Sequence, residues 1–545
     1  MNGFWKRFRK KKDQASHSKK AEFPFEKVDI EKSSLYHDLK TNLHNIKKDL
    51  GNSPDIVARE FEAGGNPKIR VAAIYMDGLA DKKMVSDFIL HSLMVDSVGE
   101  SFEKMATDKN VFHFIKHNAL TIGEVKVIQD WNQLMQSVLS GDTVILIDGW
   151  AKAISGNTRG GESRSVTEPT SELVIRGPKD GFSESLGTNI SLVRRRIQSP
   201  NLWLETMKIG KVTKTDIGIM YIKGIVNDQL VQEVKQRLND IEIDSILESG
   251  YIEELIQDQT FTPFPTVFNT ERPDVVAGNL VEGRIAILVA GTPFVLIVPT
   301  VFAQFFQSAE DYYQRFDISI VVRVLRYLSF IVALIGPSIY IAAITFHQEM
   351  IPTPLLISVA AQREGVPFPA FIEAMLMEAS FEVMREAGVR MPRAVGQAVS
   401  IVGALIIGQA AVQAGIVSAA MVIVVAATGI ASFTTPAYSL AIAARLLRFL
   451  FMILAGAFGF FGLTLGMIML IAHLASLRSF GIPYLAPFAP LIPSDQKDAV
   501  LRLPLWSLFA RPRLISQKKT TRMKRDVELY PSEKKKQTKG DQNEN

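Results

Sequence analysis

Residues 394–444 read AVGQAVSIVGALIIGQAAVQAGIVSAAMVIVVAATGIASFTTPAYSLAIAA and contain no Asp, Glu, Lys or Arg. One helical crossing of a bilayer, whose hydrocarbon core is about 30 Å thick, needs about 20 apolar residues. This stretch is too long for one crossing, and it divides near Gly415 into two predicted helices. The chain therefore contains a predicted all-α membrane part.

Three further apolar stretches reach the length of a crossing, so that five strong hydrophobic segments are predicted in total. The three are Ile285–Phe306, Tyr327–Phe346 and Phe449–Leu477. The chain has 61 Lys and Arg and 56 Asp and Glu, yet only 19 charged residues lie in residues 285–478. We therefore expect a polytopic helical membrane domain over residues 285–493, which excludes a single soluble globule.

Both ends of the chain are basic. We interpret residues 1–50 as a basic, flexible N-terminal tail and residues 494–545 as a basic C-terminal tail. Lys and Arg beside membrane segments favour the cytoplasm and anionic lipid, which we prefer here to nucleic acid as a partner. No apolar segment of a signal peptide follows the basic start, so the long N-terminal region is expected to stay in the cytoplasm.

Two cytoplasmic ends require an even number of crossings, which five segments do not provide. Either one segment is re-entrant, or a weaker apolar stretch also enters the bilayer. The weaker stretches are Phe480–Ile492 and Met350–Ala361. Both solutions remain open at the level of sequence.

The first half of the chain contains an internal repeat. Val71–Gly78 aligns with Ile217–Gly224 at a shift of 146, and Leu139–Gly149 resembles Leu280–Gly291 at a shift of 142. Apolar runs followed by helical patterns suggest β-α-β units, and hence two tandem α/β lobes in a cytoplasmic N-terminal domain. The predicted bounds are 51–154 for the first lobe, 155–200 for a linker with an Arg-rich block, and 201–284 for the second lobe.

Polar side chains inside apolar segments are the candidates for an ion pathway, because an unpaired amide in hydrocarbon is costly. Gln409, Gln413 and Thr428 are the pore candidates; hydrogen bonding between helices is the alternative. Glu378 and Glu382 fall on one stripe of a predicted amphipathic helix on the membrane surface. Such a stripe is either a solvated face or, in a symmetric ring, an acidic vestibule that concentrates cations.

Four prolines are candidates for helix breaks or gates: Pro293, Pro299, Pro337 and Pro436. Each removes a helix hydrogen bond, so the freed carbonyl must find a partner or face a wet cavity; a passive kink is the alternative. Small residues four apart favour close helix packing, in a multi-helix bundle or an oligomer. The pairs in the last segment are Ala455 with Gly459, and Gly462 with Gly466.

Several kinds of chemistry are excluded or disfavoured. The chain has no cysteine, which excludes disulfides and thiolate sites. His113 and His117 have the spacing of metal ligands but lack an obvious third ligand, and His473 is interpreted as a packing residue. The arginines Arg194–Arg196 follow a Gly-rich stretch without a phosphate-binding fingerprint, so packing is favoured over phosphate binding. We expect no cofactor, no metal and no enzymatic activity.

Three blocks carry a resemblance to a known family: Ile175–Glu184 with Arg194–Arg196, Glu282–Pro293, and the run from Met391–Gln397 to Phe433–Pro436. Together they resemble the A-subunit family of bacterial spore germinant receptors, GerA type. The resemblance implies a subunit in the inner membrane of the dormant spore that acts with a transporter-like B subunit and a lipoprotein C subunit. It also implies an oligomeric, nutrient-gated cation channel with two cytoplasmic lobes similar to solute-binding proteins.

The resulting hypothesis is the A subunit of a nutrient germinant receptor that triggers spore germination. We expect this subunit to form a homo-oligomer that conducts cations and to bind no nucleic acid. Two alternatives remain: a secondary transporter of a small solute, which the proline-broken helices favour, and a membrane scaffold that conducts nothing.

Overall fold

The computed structural model describes residues 34–63, 69–90, 93, 112, 125–160, 168–169, 172–391 and 408–523. It has a mixed α/β N-terminal region with two five-stranded sheets, followed by a helical part. The chain divides into two compact units, the first around the first sheet and the second holding the second sheet and the helical part. The predicted combination of α/β and all-α parts is confirmed at this level.

The first unit is built around a sheet with the strand order β1-β2-β4-β5-β3. Its strands are β1 Ile56–Ala63, β2 Ile69–Met76, β3 Val125–Ile128, β4 Thr143–Ile147 and β5 Ala153–Gly156. Helix α1, Leu39–Asp49, buries Leu39, Leu43 and Ile46. Residues 34–50 are therefore folded, although the sequence predicted a flexible tail there, because three apolar side chains at helical spacing give this segment a buried face.

The second sheet repeats the order of the first, as β6-β7-β9-β10-β8. Its strands are β6 Leu202–Ile209, β7 Thr215–Ile222, β8 Phe268–Thr270, β9 Ile285–Val289 and β10 Val295–Val298. Helix α2, Trp131–Ser140, precedes β4, and the helices that accompany the second sheet are α3 Leu186–Arg196, α4 Asp228–Asn239, α5 Ser249–Ile256 and α6 Pro273–Val281.

The glycines that align in the sequence repeat have the same backbone conformation. Gly78 and Gly224 follow β2 and β7 with φ of 78° and 85°, and Gly149 and Gly291 follow β4 and β9 with φ of 84° and 92°. Glycine is favoured at such left-handed positions because it has no Cβ. The repeat therefore marks equivalent strand ends in the two sheets.

The predicted β-α-β units are not formed by these strands. β2 pairs antiparallel with β4, and β7 pairs antiparallel with β9. A β-α-β unit needs parallel neighbours. The apolar runs and the following helices were recognised correctly, but a run of apolar residues carries no information about strand direction.

The segment Ile285–Phe306 is not a membrane helix, contrary to the sequence interpretation. It forms β9, β10 and a 3-10 helix, Phe302–Phe306, and the side chains of Ile297 and Phe305 are completely buried. A strand buried on both faces is as apolar as a membrane helix, so composition does not separate them. The second α/β part therefore extends beyond the predicted boundary at residue 284.

The helical part contains two helices that are long and apolar enough to cross a membrane, α7 and α11, and a shorter apolar helix, α10. The helices are α7 Phe316–Thr345, α8 Thr353–Arg363, α9 Ala370–Arg390, α10 Ala419–Ser432 and α11 Tyr438–Ser476. The predicted break near Gly415 is present, because this glycine has a φ of 65° just before α10.

Helix α11 reverses direction at Gly459, whose φ of 58° and ψ of −140° are not helical. A Cβ at Gly462 would collide with the carbonyl oxygen of Leu454, and a Cβ at Gly466 would lie 2.9 Å from Phe451. In a continuous helix, residues eight apart are about 12 Å apart along the axis. The apolar stretch predicted as one crossing is therefore a hairpin, with arms 438–458 and 460–476.

The helical part has two distinct ends. At the proximal end, which faces the second sheet, Nε2 of His473 lies 2.9 Å from the Thr262 hydroxyl oxygen. At the distal end, Phe346 packs against the hairpin tip, 2.9 Å from where a Cβ of Gly459 would lie. Helix α7 and the first arm of α11 lead away from the second sheet, and the second arm returns to it. The interpretation of His473 as a packing residue agrees with this contact.

The chain after the hairpin returns to the second sheet. Residues 478–483 form a two-stranded turn and Tyr484 is completely buried, so Phe480–Ile492 is not an additional crossing. Farther on, Nε of Arg511 donates to the Val281 carbonyl at 2.7 Å, and the Ser516 hydroxyl donates to the Ile225 carbonyl at 3.1 Å. Residues 494–523 are thus packed against the α/β part and do not form a free tail, and the cytoplasmic location of the C-terminal segment stays a prediction.

One hydrophobic core joins the second sheet to the helices. It contains Leu288 in β9, Phe305 in the 3-10 helix, Phe330 in α7, Ala374 in α9 and Phe451 in α11. Full burial of a phenylalanine side chain stabilises a fold by roughly 1.5–3 kcal/mol. The sheet and the helices therefore form one packed body.

Candidate functional site

A buried ion pair joins three helices of the helical part. Nη1 of Arg448 in α11 donates to Oε2 of Glu378 in α9 at 2.6 Å, and Nε of Arg448 donates to the Ala333 carbonyl in α7 at 2.7 Å. The exposed fractions of the two side chains are 1% for Arg448 and 0% for Glu378. Two charges removed from water are stable only when each compensates the other, so this pair fixes α9 against α11.

Glu382, one turn after Glu378, is also paired. It accepts a hydrogen bond from Arg385, and its Oε2 lies 3.5 Å from Nη1 of Arg445 in α11. The charged stripe of α9 therefore faces arginines of the bundle rather than water, which corrects its interpretation as a solvated membrane-surface helix. In this arrangement both carboxylates face arginines of the same chain, and their role as an acidic vestibule in a symmetric ring stays a prediction.

A third carboxylate of α9, Glu373, holds the start of α10. Its Oε1 accepts hydrogen bonds from the backbone N–H and the hydroxyl of Ser418, both at 2.5 Å. The Ser418 hydroxyl oxygen in turn accepts from the N–H of Met421, as a helix N-cap. Sequence reasoning missed this contact; a serine directly before an apolar helix was the available indication.

The three pore candidates do not share one environment. Gln409 and Gln413 are exposed, just before Gly415. Thr428 is completely buried, donates to the Val424 carbonyl at 2.7 Å, and faces Gly336 of α7. Thr428 is thus a packing residue within the chain, whereas the two glutamines present amides on its surface.

The four prolines have different surroundings. Pro293 lies between β9 and β10 and Pro299 follows β10, so neither breaks a helix. Pro337 lies inside α7, and Pro436 precedes Ala437, the N-cap of α11. Only Pro337 therefore removes a hydrogen bond within a membrane-length helix, and Pro436 stands where a helix begins.

A second buried ionic cluster lies at the start of α7. Nε and Nη2 of Arg323 donate to Oδ2 of Asp311 at 3.1 and 3.0 Å, and Nη1 donates to Oδ1 of Asp498 at 2.9 Å. Arg326 also donates to Asp311, and the Tyr312 hydroxyl donates to Asp498. Burial raises the pKa of Asp498, while Arg323 opposes that shift.

This cluster ties the first membrane-length helix to the segment that follows the last one. Sequence reasoning missed the partners of Arg323 and Arg326. Asp498 is 175 residues away from Arg323, so the pairing depends on the fold and not on local pattern.

A cavity of about 790 Å³ lies between α6 and the proximal ends of α9, α10 and α11. Its wall contains Arg385, Phe433, Tyr438 and Arg445 from the helical part. On the other side, Glu172 accepts a hydrogen bond from the Thr270 hydroxyl at 2.6 Å. Burial raises the pKa of Glu172 to about 7, against the opposing effects of that hydrogen bond and of Arg272.

The Arg-rich block is occupied by packing contacts. Arg194 is buried and donates from Nε and Nη2 to both carboxylate oxygens of Asp55, at 2.8 and 3.1 Å. Arg196 donates from Nη2 to Asp180 at 2.6 Å. These pairs favour the packing interpretation over a phosphate cradle, because both guanidinium groups already bind carboxylates.

Within the described residues, no group of three or more His, Asp and Glu side chains is arranged to hold a metal ion. His113 and His117 lie outside the described residues. The expectations of no metal and no cofactor therefore stay predictions for the chain as a whole.

Comparison with known proteins places this architecture among spore germination proteins. Residues 44–514 match the Bacillus/Clostridium GerA spore germination protein family. Spore germination protein KA of Bacillus subtilis is 53% identical over 494 residues, which are 91% of this chain and 90% of that protein. The uncharacterized membrane protein YfkQ of Bacillus subtilis is 45% identical over 479 residues, covering 87% of this chain and 90% of that protein.

A solved structure is also similar. The N-terminal domain of the A subunit of a Bacillus megaterium spore germinant receptor is 48% identical, covers 50% of this chain and 98% of that domain, and aligns with a TM-score of 0.41. The resemblance drawn from the three sequence blocks is confirmed by the family match and by the curated relatives.

Proposed function

Because the chain belongs to the Bacillus/Clostridium GerA family of spore germination proteins, we propose that it is the A subunit of a nutrient germinant receptor. Several copies form a cation channel in the inner membrane of the spore, with the N-terminal region and the C-terminal segment in the cytoplasm. A transporter-like B subunit and a lipoprotein C subunit complete the receptor, and nutrient binding by a partner opens the channel. The subunit itself catalyses no reaction.

The N-terminal region comprises two tandem lobes, and the helical part is polytopic. The shared strand order and the equivalent glycines support the first statement. The second is supported by α7, by the two arms of α11, and by the outward apolar side chains of these helices, such as Val321, Leu328 and Phe461. Apolar side chains that stay exposed along a long helix are typical of contact with lipid.

The observation that carries the proposal is the single hydrophobic core from β9 to α11. A packed interior transmits displacement because it has few voids and deforms little. Movement of the second lobe, imposed by a nutrient-loaded partner, therefore shifts α7 and α11 directly. This is the coupling that a gated channel requires, since a ligand acts only through its different affinities for closed and open states.

Gln409 and Gln413 are the proposed pore-lining residues. In one chain both amides are exposed although they lie beside apolar helices, and an amide is costly against lipid. Placing them toward a water-filled axis between subunits removes that cost. Thr428 is less suited to this role than the glutamines because α7 covers it.

The test is potassium flux into liposomes that contain the assembled receptor, measured with and without candidate nutrients. Gln409→Phe and Gln413→Phe should abolish nutrient-dependent flux while assembly with the partners persists. Thr464→Phe is the matched control, because Thr464 is an exposed polar residue of α11 outside the proposed pore. Flux that survives both glutamine variants would exclude these pore residues. An assembled, nutrient-responsive receptor without any flux would exclude the channel.

A further inference from the structure

The cavity beside α6 lies where helices of the bundle meet the second sheet. Tyr438 and Ala441, at the beginning of α11, and Phe433, just after α10, form one side of it. Phe433 is 70% exposed and Tyr438 is 59% exposed. If α11 crosses a bilayer, these residues lie at the level of the lipid headgroups, so the cavity opens toward the membrane interface.

Arg445, whose guanidinium group also contacts Glu382, lines this cavity. Its Nε donates to the Ala441 carbonyl at 3.2 Å, and its Nη1 lies 3.5 Å from Glu382. Its Nη2 is buried and has no hydrogen-bond partner among the residues that the structure describes. A buried donor of a charged group is normally satisfied, so the guanidinium of Arg445 retains one N–H for a further acceptor.

The cavity wall carries more positive than negative charge. Five arginines line it against three carboxylic acids, and one of those acids, Glu172, has a pKa raised to about 7. Arg522 also lines the cavity; its Nη2 donates to Glu282 at 2.9 Å, and its Nε is buried without a hydrogen-bond partner within the described part of the chain. The planar fork of a guanidinium group matches the multi-oxygen geometry of a phosphate group.

The wall is also largely apolar, with Leu173, Val275, Ala441 and Phe433 among its residues. A small hydrophilic anion would leave these side chains without a partner. An anionic group on an apolar tail satisfies both parts of the wall, and basic pockets at the cytoplasmic side of membrane helices are typical sites for such headgroups.

We propose that this cavity binds the phosphate of an anionic phospholipid through Arg445 and Arg522, with an acyl chain along Phe433 and Tyr438. The site rests on the proposed membrane location of the chain. It connects α6, α9 and α11, so a bound lipid holds the second lobe against the bundle. The lipid is thereby a structural ligand of the subunit and not only its solvent.

The experiment uses the full chain, purified in detergent and reconstituted into vesicles of phosphatidylcholine with or without phosphatidylglycerol. Native mass spectrometry measures retained phosphatidylglycerol, and vesicle flotation reports insertion. The wild type should retain the anionic lipid, and Arg445→Gln should weaken retention roughly tenfold, as loss of a charge-assisted pair predicts. Arg390→Gln is the matched control, because Arg390 pairs with Glu386 on the exposed face of α9.

A second variant fills the cavity without touching its charges. Gly278 of α6 lines the cavity, and a Cβ at this position would meet no atom within 4 Å. Gly278→Leu should therefore fold and should also lose phosphatidylglycerol. This variant decides the question if Arg445→Gln fails to fold.

The outcomes separate the two proposals. If Arg445→Gln or Gly278→Leu floats with the vesicles and retains as much phosphatidylglycerol as the wild type, the lipid site is wrong. The channel proposal is not affected by that result. Failure of the wild type to float would overturn the membrane location, and with it the proposed function. If glycerol phosphate or inorganic phosphate displaces the lipid at equal concentration, the site takes free phosphate and the lipid assignment is wrong.

Discussion

Nη1 of Arg448 donates to Oε2 of Glu378 across 2.6 Å in a position that water does not reach, although the two residues are 70 positions apart in the chain. Breaking a buried pair by changing one partner leaves the other charge uncompensated. Glu378→Gln should therefore lower the free energy of unfolding by about 3 to 5 kcal/mol. Thermal unfolding of the full chain in detergent measures this.

The double variant Glu378→Leu with Arg448→Met is the control for that prediction. It removes both charges and keeps apolar volume, so its stability should return close to that of the wild type. A double variant as unstable as Glu378→Gln would show that the pair is not the source of the loss.

Asp498 should help to keep the C-terminal segment, residues 494–523, packed against α7. Asp498→Asn removes the charge that faces Arg323, and loss of a hydrogen bond to a charged group costs about 1.5–3 kcal/mol. Hydrogen exchange should accelerate over residues 494–523. Asp317→Asn is the control, because Asp317 pairs with Arg315 on the surface. Equal exchange in both variants would contradict this role.

The hairpin of α11 depends on glycine at position 459. Gly459→Ala places a Cβ 2.8 Å from His347 at a backbone conformation that L residues rarely adopt. We expect a loss of stability on the order of 1–3 kcal/mol. Unfolding midpoints of the full chain should show it, and a stability equal to that of the wild type would argue against the reversal.

Cross-linking tests the same hairpin directly, since the chain has no cysteine of its own. Phe451→Cys with Gly466→Cys should form a disulfide within one chain under mild oxidation. Phe451→Cys with Leu465→Cys should not, because a one-residue shift turns the side chain by about 100° around its helix. Peptide mass mapping distinguishes the two results.

Glu172 should make the stability of the second lobe depend on pH. Folding raises its pKa from 4.5 to about 7, so the folded state holds the proton more tightly than the unfolded state. This contribution is complete below about pH 4.5 and is lost as the pH rises toward about 7. The unfolding midpoint of the wild type should fall over that range, and Glu172→Gln should flatten the profile.

Glu168→Gln provides the comparison for the pH profile, because Glu168 is half exposed and pairs with Lys179. It should keep the slope of the wild type. A slope that persists in Glu172→Gln would assign the titration to another group.

Sequence reasoning succeeded where the decisive pattern is local. The repeat between Val71–Gly78 and Ile217–Gly224 identified equivalent strands and the glycines at their ends. Strand patterns and turn-forming residues can be recognised because they depend on neighbouring positions in the sequence. It failed at Ile285–Phe306, where a strand buried on both faces has the composition of a lipid-facing helix.

The site was less predictable than the fold. Glu378 and Glu382 were predicted as vestibule candidates, but their partners Arg448 and Arg445 come from another helix, and only the tertiary packing brings them together. The reversal at Gly459 was hidden for a similar reason. Glycine is common in membrane helices, so its presence alone does not distinguish close packing from a turn.

The return of the chain after α11 constrains the topology of the whole helical part. Arg323 near the start of α7 binds Asp498, and Thr300 before α7 binds Ser479 directly after the hairpin through its backbone N–H at 3.0 Å. Entry into and exit from the helical part are thus fastened together. If a bilayer surrounds these helices as proposed, the chain leaves on the side where it entered, and the crossings come in pairs.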